Sequence, residues 1–400
     1  MPASRPLLRL VVPLIAACLA GAPAGAEPAG GAEFGRFVAG LWPEAQQQGV
    51  SRATFDAALR GVTPDPKIVA LTRKQSEFSR PIWDYVSGSI SAERLARGRE
   101  VGQRWSATLD RVERVYGVPR SVVLAIWGME TGFGANTGSL SVVRSLATLA
   151  YVRYRGDFFR GELLTTLQLL QRDEVSLGQL RGSWAGAMGQ TQFMPSSYAK
   201  FSADGDGDGR RDIWASVPDA LASTANFLRE HGWQPGLPWG VEVELPEGFD
   251  WRNLRHDFGR WAALGVQPAS GGALPRSGEA TLFLPAGAGG PAFLVTANYD
   301  AIKSYNSSDA YALGVALLGD RLVGGRGLRA RWPSDEPQLD KEGRVEVQRR
   351  LTALGLYEGE ADGRLGSKTR AAVRQFQLSR GLTADGYASP AVLAALRSAR

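Results

Sequence analysis

Apolar residues recur at helical spacing along most of the chain from about residue 32 to residue 328. In residues 95–115 they stand three and four positions apart with Arg and Glu between them, and residues 219–229 repeat this amphipathic pattern. Between residues 241 and 295 the pattern changes, because β-forming residues alternate or cluster there and turn residues separate them. The pattern predicts a mainly helical domain that carries a small β insertion at about 241–295.

Roughly the last 60 residues show a helical pattern of their own. Apolar positions between 345 and 356 predict one helix, a second is expected from Ser367, and a third from Pro390, since proline is favoured at the first helical position. Asp-Gly dipeptides at 362–363 and 385–386 are turn signals that each precede a helix, which indicates a weak internal duplication. This part of the sequence predicts a small three-helix module.

The first 26 residues have the pattern of a secretory signal. Arg5 and Arg9 precede a short apolar core, and small residues at 24–26 offer a cleavage site. The core of about 12 apolar residues is too short to span a bilayer, which needs about 20. An alternative is a lipoprotein box that ends at Cys18, whose acylation would provide an outer-membrane lipid anchor. We therefore expect a periplasmic or otherwise exported protein, with an outer-membrane lipoprotein as the alternative.

The segment between the two helical units is rich in Gly, Arg, Pro and acidic residues, which is typical of a linker. Together with the signal segment, this composition predicts four parts of the chain. They are a signal peptide at 1–26, a helical domain at 32–325, a linker at 326–338 and a C-terminal module at 339–398.

Composition and charge exclude several classes of function. The chain has 400 residues, 44% of them hydrophobic, and a formal net charge of +6, but it contains no basic helix or zinc-finger spacing, so we expect no nucleic-acid partner. Cys18 is the single cysteine, which excludes an internal disulfide. His231 and His256 are not at zinc-binding spacing. A mildly basic surface suits an anionic polymer such as a bacterial cell wall.

The run AIWGMETGFG places one carboxylate, Glu130, at the end of a very apolar stretch. Pro119 can begin a helix there and Gly132 can end it, so Glu130 falls in the last turn. The negative end of the helix dipole and apolar neighbours such as Trp127 both disfavour the charged carboxylate and raise its pKa. An acid that stays protonated near neutral pH can donate to a glycosidic oxygen. The alternative is a solvated helix-end glutamate, or one paired with an Arg.

A second motif, GSWAGAMGQTQFMPSSY, begins at Gly182. Small residues such as Gly182 and Gly189 permit a ligand to approach the backbone closely. Neutral polar side chains, among them Gln190 and Ser196, can hydrogen-bond a ligand, and aromatic side chains, among them Tyr198, offer faces for sugar rings. Neutral groups beside aromatic rings suit an uncharged saccharide better than a phosphate.

With a third stretch, SYNSSDAYALG from Ser304, these motifs resemble the lytic transglycosylase B family, which has a lysozyme-like core. The resemblance runs from about residue 34 to residue 322. It implies that Glu130 is the catalytic acid and base, and that Phe227 stands where the family often has Tyr. The other substrate-binding positions that it implies are Tyr85, Ser183, Gln192, Tyr305, Asn306 and Tyr311.

The resemblance also implies the reaction. Glu130 protonates the oxygen between MurNAc and GlcNAc in peptidoglycan and then acts as base toward the MurNAc C6 hydroxyl, which closes on C1 to give a 1,6-anhydro end. Ordinary glycosidases need two carboxylates, and among the three motifs the only other acidic residue is Asp309. No cofactor is expected for catalysis. The alternatives are a hydrolytic muramidase and an inactive wall-binding scaffold.

The loop DGDGDGRRD resembles an EF-hand calcium loop in its first positions, but Ala215 replaces the usual closing Glu. The family resemblance also points to a cation here, Ca²⁺ or Na⁺, with a structural role. The alternative is an Asp-rich turn that needs no metal. The predicted metal-binding residues are Asp204, Asp206, Asp208, Arg210, Asp212 and Asp219.

The C-terminal module is similar to the common peptidoglycan-binding domain of bacterial wall enzymes. The shared elements are LGLY, DGRLGSKT, the AVRQFQ helix and GLTADG, with Ser389 in place of the usual Gly before Pro390. The resemblance implies anchoring to the wall, so the expected partners are peptidoglycan glycan strands and stem peptides, with other wall enzymes as further candidates. A bare three-helix spacer is the alternative.

Overall fold

The computed structural model describes residues 31–74 and 81–399. The predicted signal segment at 1–26, with Cys18, lies outside the described residues. Among the described helices, none combines the length and the apolar character that crossing a membrane requires.

Helices form most of the larger domain, and serine residues begin several of them. The side chains of Ser51, Ser91 and Ser141 each accept a hydrogen bond from the backbone N–H three residues later, which satisfies a free donor at the helix start. The helices that precede the sheet are α1 (Gly31–Ala39), α2 (Trp42–Gln47), α3 (Arg52–Leu59), α4 (Pro66–Lys74), α5 (Ile82–Ser89), α6 (Ala92–Arg104), α7 (Ser106–Tyr116), α8 (Arg120–Thr131), α9 (Val142–Tyr151), α10 (Phe158–Gln171), α11 (Pro195–Phe201) and α12 (Val217–Glu230).

The central helix of this domain is α8. It packs against α6, α7 and α12, and every residue from 122 to 131 is buried. Pro119 precedes its first turn, and Gly132 ends it in the left-handed conformation at φ +59°, which favours glycine. The apolar pattern at 95–115 belongs to two helices, because the backbone leaves the helical conformation at Trp105, between α6 and α7.

The predicted β insertion is an antiparallel five-stranded sheet. A short pair, β1 (Leu140–Ser141) with β2 (Arg181–Gly182), precedes it in the chain. The strand order in the sheet is β4-β6-β7-β3-β5, and Val241 pairs with Leu294 in the centre. Its elements are β3 (Gly240–Glu244), β4 (Arg255–Asp257), α13 (Phe258–Ala263), β5 (Gln267–Pro268), β6 (Glu279–Phe283) and β7 (Ala292–Val295).

One face of this sheet has its own hydrophobic cluster around Phe258, Trp261 and Leu294. After the sheet the chain returns to the helical core through α14 (Ala297–Tyr305) and α15 (Asp309–Leu322). Helix α15 packs against α5, α6, α8 and α14. This packing places the start of α15 beside the end of α8.

The C-terminal module consists of α16 (Lys341–Ala353), α17 (Ser367–Ser379) and α18 (Pro390–Ser398), around a core that includes Phe376. The duplication is visible in its turns. The amide oxygen of Gln348 accepts a hydrogen bond from the backbone N–H of Gly363, and that of Gln377 accepts one from Gly386. Each Asp-Gly turn is therefore held by a buried glutamine from the preceding helix.

Residues 326–338 lie between α15 and α16, outside helices and strands, and pack on the larger domain. The Glu242 carboxylate accepts hydrogen bonds from the backbone N–H groups of Arg329 and Ala330 at 2.9 Å each. The rings of Trp332 and Trp83 lie 6.2 Å apart. These contacts fix the course of the segment.

Candidate active site

Glu130 lies in the last turn of α8 and is only 7% exposed. Tyr311, in the first turn of α15, donates a hydrogen bond from its hydroxyl to Glu130 Oε1 at 2.6 Å. Burial raises the pKa of Glu130 to about 7, although the Tyr311 hydrogen bond opposes this shift. Glu130 is therefore a carboxyl group that is partly protonated at neutral pH.

Two further tyrosines face Glu130. Burial first, and then the negative charge of Glu130, raises the pKa of Tyr85 and of Tyr305. In the described part of the chain no ion pair involves Glu130, so the alternative of an Arg partner finds no counterpart there. The carboxyl group has phenol groups as neighbours instead of a cation.

Gln192 and Ser183 are held firmly by the backbone around them. Gln192 has φ +52°, which is uncommon for a residue with a side chain, and its amide group donates to the carbonyl oxygens of Gly189 and Thr137. The hydroxyl of Ser183 accepts a hydrogen bond from the backbone N–H of Ala187 at 3.1 Å. Both side chains therefore have hydrogen-bond partners within the protein itself.

The glycines of this motif serve the packing of the chain on itself. A Cβ at Gly182 would lie 2.1 Å from the carbonyl oxygen of Ala187, and one at Gly189 would lie 2.7 Å from that of Ile213. The sequence predicted close approach by a ligand, whereas here the close approach is made by the protein's own backbone.

Gln190 is a structural bridge in this structure. Its side-chain oxygen accepts a hydrogen bond from the indole N–H of Trp127 at 3.0 Å, and its amide group donates to the carbonyl oxygen of Trp214 at 3.1 Å. Only 6% of Gln190 is exposed. It ties α8 to the loop before α12, a role that the sequence did not indicate.

The remaining aromatic candidates form one cluster near the start of α15. The ring of Phe227 stacks on His231 at 3.9 Å and lies 4.8 Å from the ring of Tyr305. The Tyr305 hydroxyl donates to the carbonyl oxygen of Thr191, and the Asn306 side chain accepts from the backbone N–H of Ser308. The structure thus brings Phe227, Tyr305 and Asn306 together.

Tyr198 has a different position from the one expected. It is 1% exposed, its hydroxyl donates to the carbonyl oxygen of Arg211 at 2.8 Å, and its ring packs on Trp214. With its hydroxyl bonded internally and its ring covered, Tyr198 supports the Asp-rich loop in this structure rather than presenting a face for a sugar.

The Asp-rich loop brings three of the predicted metal-binding residues together. One carboxylate oxygen from each of Asp204, Asp206 and Asp219 lies within 4.8 Å of the others. The loop turns around Asp204, which accepts hydrogen bonds from the N–H groups of Gly207 and Gly209. These two bonds lower the pKa of Asp204. Three carboxylates at this spacing are a donor set that fits a hard cation such as Ca²⁺.

The other three predicted metal-binding residues stand outside this group. Asp208 and Arg210 are exposed, and the Asp212 carboxylate accepts the backbone N–H groups of Trp214 and Ala215. Asp219 is 1% exposed at the start of α12, and burial raises its pKa even though two backbone N–H groups donate to it. A cation beside Asp219 would offset this cost of burial.

A second buried glutamate was missed by the sequence analysis. Glu162 in α10 is 5% exposed and accepts two hydrogen bonds from Ser196, one from its backbone N–H at 2.9 Å and one from its hydroxyl at 2.6 Å. It thereby satisfies donors at the start of α11. Ser196, expected to contact a ligand, is bonded to Glu162 instead.

Comparison with known proteins bears on this arrangement of residues. Residues 33–320 match the family model described as the transglycosylase SLT domain. The chain belongs to the lytic transglycosylase family. Residues 340–396 match a second model, which describes a peptidoglycan binding domain. The predicted family and the mainly helical fold class with its C-terminal module are confirmed.

Solved and curated relatives of this lytic transglycosylase agree with the assignment. SltB3 from Pseudomonas aeruginosa, solved in complex with NAG-anhNAM-pentapeptide, is 45% identical with a TM-score of 0.85, over 91% of this chain and 99% of that one. Slt35 from Escherichia coli, solved in complex with calcium, is 29% identical with a TM-score of 0.60, over 73% of this chain and 92% of that one.

The membrane-bound lytic murein transglycosylase B of Escherichia coli is 34% identical over 241 residues. This match covers 58% of the present chain and 65% of the curated protein, so it spans slightly less than two thirds of that relative.

Proposed function

We propose that this chain cleaves the MurNAc-β-1,4-GlcNAc bond of peptidoglycan without water and leaves 1,6-anhydroMurNAc ends. The observation that carries the proposal is Glu130, a buried carboxyl group with a pKa of about 7 that one tyrosine orients. Asp309, the other acid in the three motifs, pairs with Lys303 and Arg370. A single protonated carboxyl supports a reaction in which one group acts as acid and then as base.

Glu130 gives up one proton in this reaction and regains one, so the enzyme ends in the protonation state in which it began. Because the Tyr311 hydroxyl donates to Oε1 of Glu130, the acidic proton is expected on Oε2. It passes to the GlcNAc oxygen as the bond from that oxygen to MurNAc C1 breaks. The Glu130 carboxylate then takes the proton of the MurNAc C6 hydroxyl, whose oxygen bonds to C1. The substrate's N-acetyl group stabilises the positive C1, and Asn306 or Tyr305 orients it.

Mass spectrometry of digested peptidoglycan sacculi tests the proposal. The wild-type protein should release muropeptides that lack one water relative to hydrolysed products, and Glu130→Gln should release almost none. Products that retain the water would instead identify a hydrolytic muramidase. Binding to sacculi without any released product from the wild-type protein would support the inactive scaffold.

We propose that the C-terminal module binds the peptidoglycan wall. Its match to a peptidoglycan binding domain supports glycan strands and stem peptides as partners, and the SltB3 relative was solved with a pentapeptide-bearing fragment. Sedimentation with purified sacculi measures this binding. A chain truncated before α16 should sediment less than the full chain, and equal sedimentation would refute the assignment.

For the Asp-rich loop we infer a structural Ca²⁺ held by Asp204, Asp206 and Asp219, with Na⁺ as the alternative. The calcium complex of the Slt35 relative supports this inference. Millimolar calcium should raise the Tm by several degrees over EGTA, because an ion that binds only the folded state stabilises it. Asp206→Asn should abolish the shift and Asp208→Asn should keep it. Equal Tm values with calcium and EGTA would exclude the site.

We also infer that the protein is exported. The signal pattern at 1–26 supports export, and the curated relative from Escherichia coli is described as membrane-bound. The mass of the mature N-terminus decides between cleavage after residue 26 and acylation of Cys18. An uncleaved N-terminus in the cell would refute both routes.

A further inference from the structure

Two polar contacts between described residues join the C-terminal module to the catalytic domain. At the first, a guanidinium nitrogen of Arg370 in α17 lies 2.5 Å from a carboxylate oxygen of Asp309 in α15. At the second, the Asp385 carboxylate accepts a hydrogen bond from the backbone N–H of Ala288 at 2.9 Å. Between these points lies a cleft of about 590 Å³ that Lys303, Asp309 and Arg370 help to line.

Asp309 is the residue through which this contact reaches the catalytic domain. It begins α15, and its carboxylate also pairs with Lys303 Nζ, in the last turn of α14, at 2.7 Å. Its carbonyl oxygen accepts a hydrogen bond from the Tyr299 hydroxyl. Asp309 therefore holds the loop between α14 and α15, and this loop includes Asn306.

The ion pair at Asp309 is well shielded from water. The side chains of Arg370 and Asp309 are 25% and 15% exposed, and the guanidinium also lies over the ring of Phe283 at 5.4 Å. Burial alone would raise the pKa of Asp309, but Arg370 and Lys303 outweigh it and lower the pKa. A shielded charge depends strongly on its partners. Of the two cationic partners of Asp309 among the described residues, loss of Arg370 leaves Lys303.

Asp309 and Tyr311 belong to the same helical turn. Tyr311 donates to Glu130 at 2.6 Å, and the backbone that carries Tyr311 begins at the residue that Arg370 holds. A shift of about 1 Å in a positioning group can reduce a rate by orders of magnitude. Arg370 is thus linked to Glu130 through its ion pair with Asp309, the backbone from residue 309 to residue 311, and the Tyr311 hydrogen bond.

We propose that Arg370 is a positioning residue, through which the C-terminal module holds the first turn of α15 so that Tyr311 stays bonded to Glu130. The proposal rests on the proposed function of Glu130. It makes the module part of the catalytic apparatus in addition to its role in wall binding, so the module should affect the turnover of short soluble substrates as well.

The test compares three variants of the full chain on a short soluble NAG–NAM oligomer. Arg370→Gln should lower kcat about tenfold with KM within about twofold, and Arg370→Lys should recover part of the loss. Arg374→Gln is the matched control, since Arg374 lies one turn further along α17 and lines the same cleft. The control should keep the wild-type kcat.

A second readout separates positioning from general destabilisation. The groups that face Glu130 are Tyr85, Tyr305 and Tyr311, and the Tyr311 bond lowers the pKa of Glu130. Weakening this bond should therefore raise the pKa of Glu130 and move the alkaline limb of the rate profile to higher pH. ¹³C NMR titration of the Glu130 carboxyl carbon measures the same pKa without turnover.

The outcomes are distinct for the two proposals. If the wild-type protein releases no anhydro product, the proposed function is contradicted. The NMR titration of Glu130 then tests the role of Arg370 by itself, because it does not depend on turnover. If folded Arg370→Gln has an unchanged kcat and an unchanged pKa of Glu130, the inference about Arg370 is overturned, even when the wild-type protein is fully active. If Arg370→Gln does not fold, Arg370→Lys is titrated instead, with the same criterion.

Discussion

Two glutamates in different helices of the core, Glu130 in α8 and Glu162 in α10, are almost equally buried and yet have different partners. Glu130 is 7% exposed and Glu162 is 5% exposed, and burial raises the pKa of both. Glu162 accepts two hydrogen bonds from Ser196 and is further stabilised by the charge of Lys200. Among the described residues, Tyr311 alone donates a hydrogen bond to Glu130.

The difference lies in how many partners each charged form has. Hydrogen-bond donors favour the charged form of a carboxylate and oppose the effect of burial on its pKa. A carboxylate with one donor among aromatic rings retains its proton to higher pH and can give it away. Equal burial therefore does not imply equal function.

The largest expected effect is a difference in kcat between variants of Glu130 and Glu162. Glu130→Gln should lower kcat about 10³-fold, because general acid and base catalysis contributes on this order. Glu162→Gln keeps a polar side chain at its position and should stay within about threefold of wild type. The rate of anhydro-product release measures both variants. Similar losses in the two variants would contradict a catalytic role that belongs to Glu130 and not to Glu162.

Substitutions of the same two glutamates should have the opposite order of effects on the free energy of unfolding. Glu162→Ala should lower the free energy of unfolding by about 3 kcal/mol, since the donors of Ser196 lose a buried acceptor. Glu130→Gln should not destabilise the protein at neutral pH. Urea unfolding at pH 7 measures the two values. A stable Glu162→Ala variant would show that Ser196 finds another acceptor.

The pH dependence of stability should reveal Glu130 directly. Its pKa is about 7 in the folded protein and near 4.5 when unfolded, so the folded state holds the proton more tightly. The stability that this proton contributes is complete below pH 4.5 and is lost as pH rises through 7, by at most about 3 kcal/mol. Wild type should therefore lose stability relative to Glu130→Gln over this range. Parallel curves of unfolding free energy against pH would contradict the shift.

The smallest expected effect concerns Tyr311, the donor to Glu130. Tyr311→Phe removes a hydrogen bond that lowers the pKa of Glu130, so the alkaline limb of kcat/KM should move to higher pH while kcat falls by about tenfold, at least as much as in Arg370→Gln. Tyr198→Phe is the control, because that hydroxyl bonds to Arg211 instead. The rate profile from pH 5 to pH 9 checks both. If the alkaline limb of the rate profile moves equally in both variants, the shift comes from a general loss of packing and not from loss of the hydrogen bond to Glu130.

Much of this fold follows from local signals in the sequence. Serine caps, Pro390 at the start of α18 and Gly132 at the end of α8 are decided by backbone chemistry within a few residues. The raised pKa of Glu130 also has a local cause, since its apolar neighbours are adjacent in sequence. These features were predictable for that reason.

The partners of polar side chains were not predictable in the same way. Gln190 bonds to Trp127, 63 positions away, and Ser196 bonds to Glu162, 34 positions away. A polar residue in a motif has the same appearance in sequence whether it meets a ligand or a distant part of its own chain. Only the packing of α8, α10 and α11 distinguishes the two cases.

The segment at 326–338 also has a consequence for how far the molecule can reach. A free chain of this length would let its ends wander over roughly 20 Å. Glu242 and Trp83 instead hold it against the catalytic domain. With the proposed function, the distance between the surface that binds the wall and the carboxyl group of Glu130 is therefore constant, and each cut is expected at one fixed distance from the point of binding.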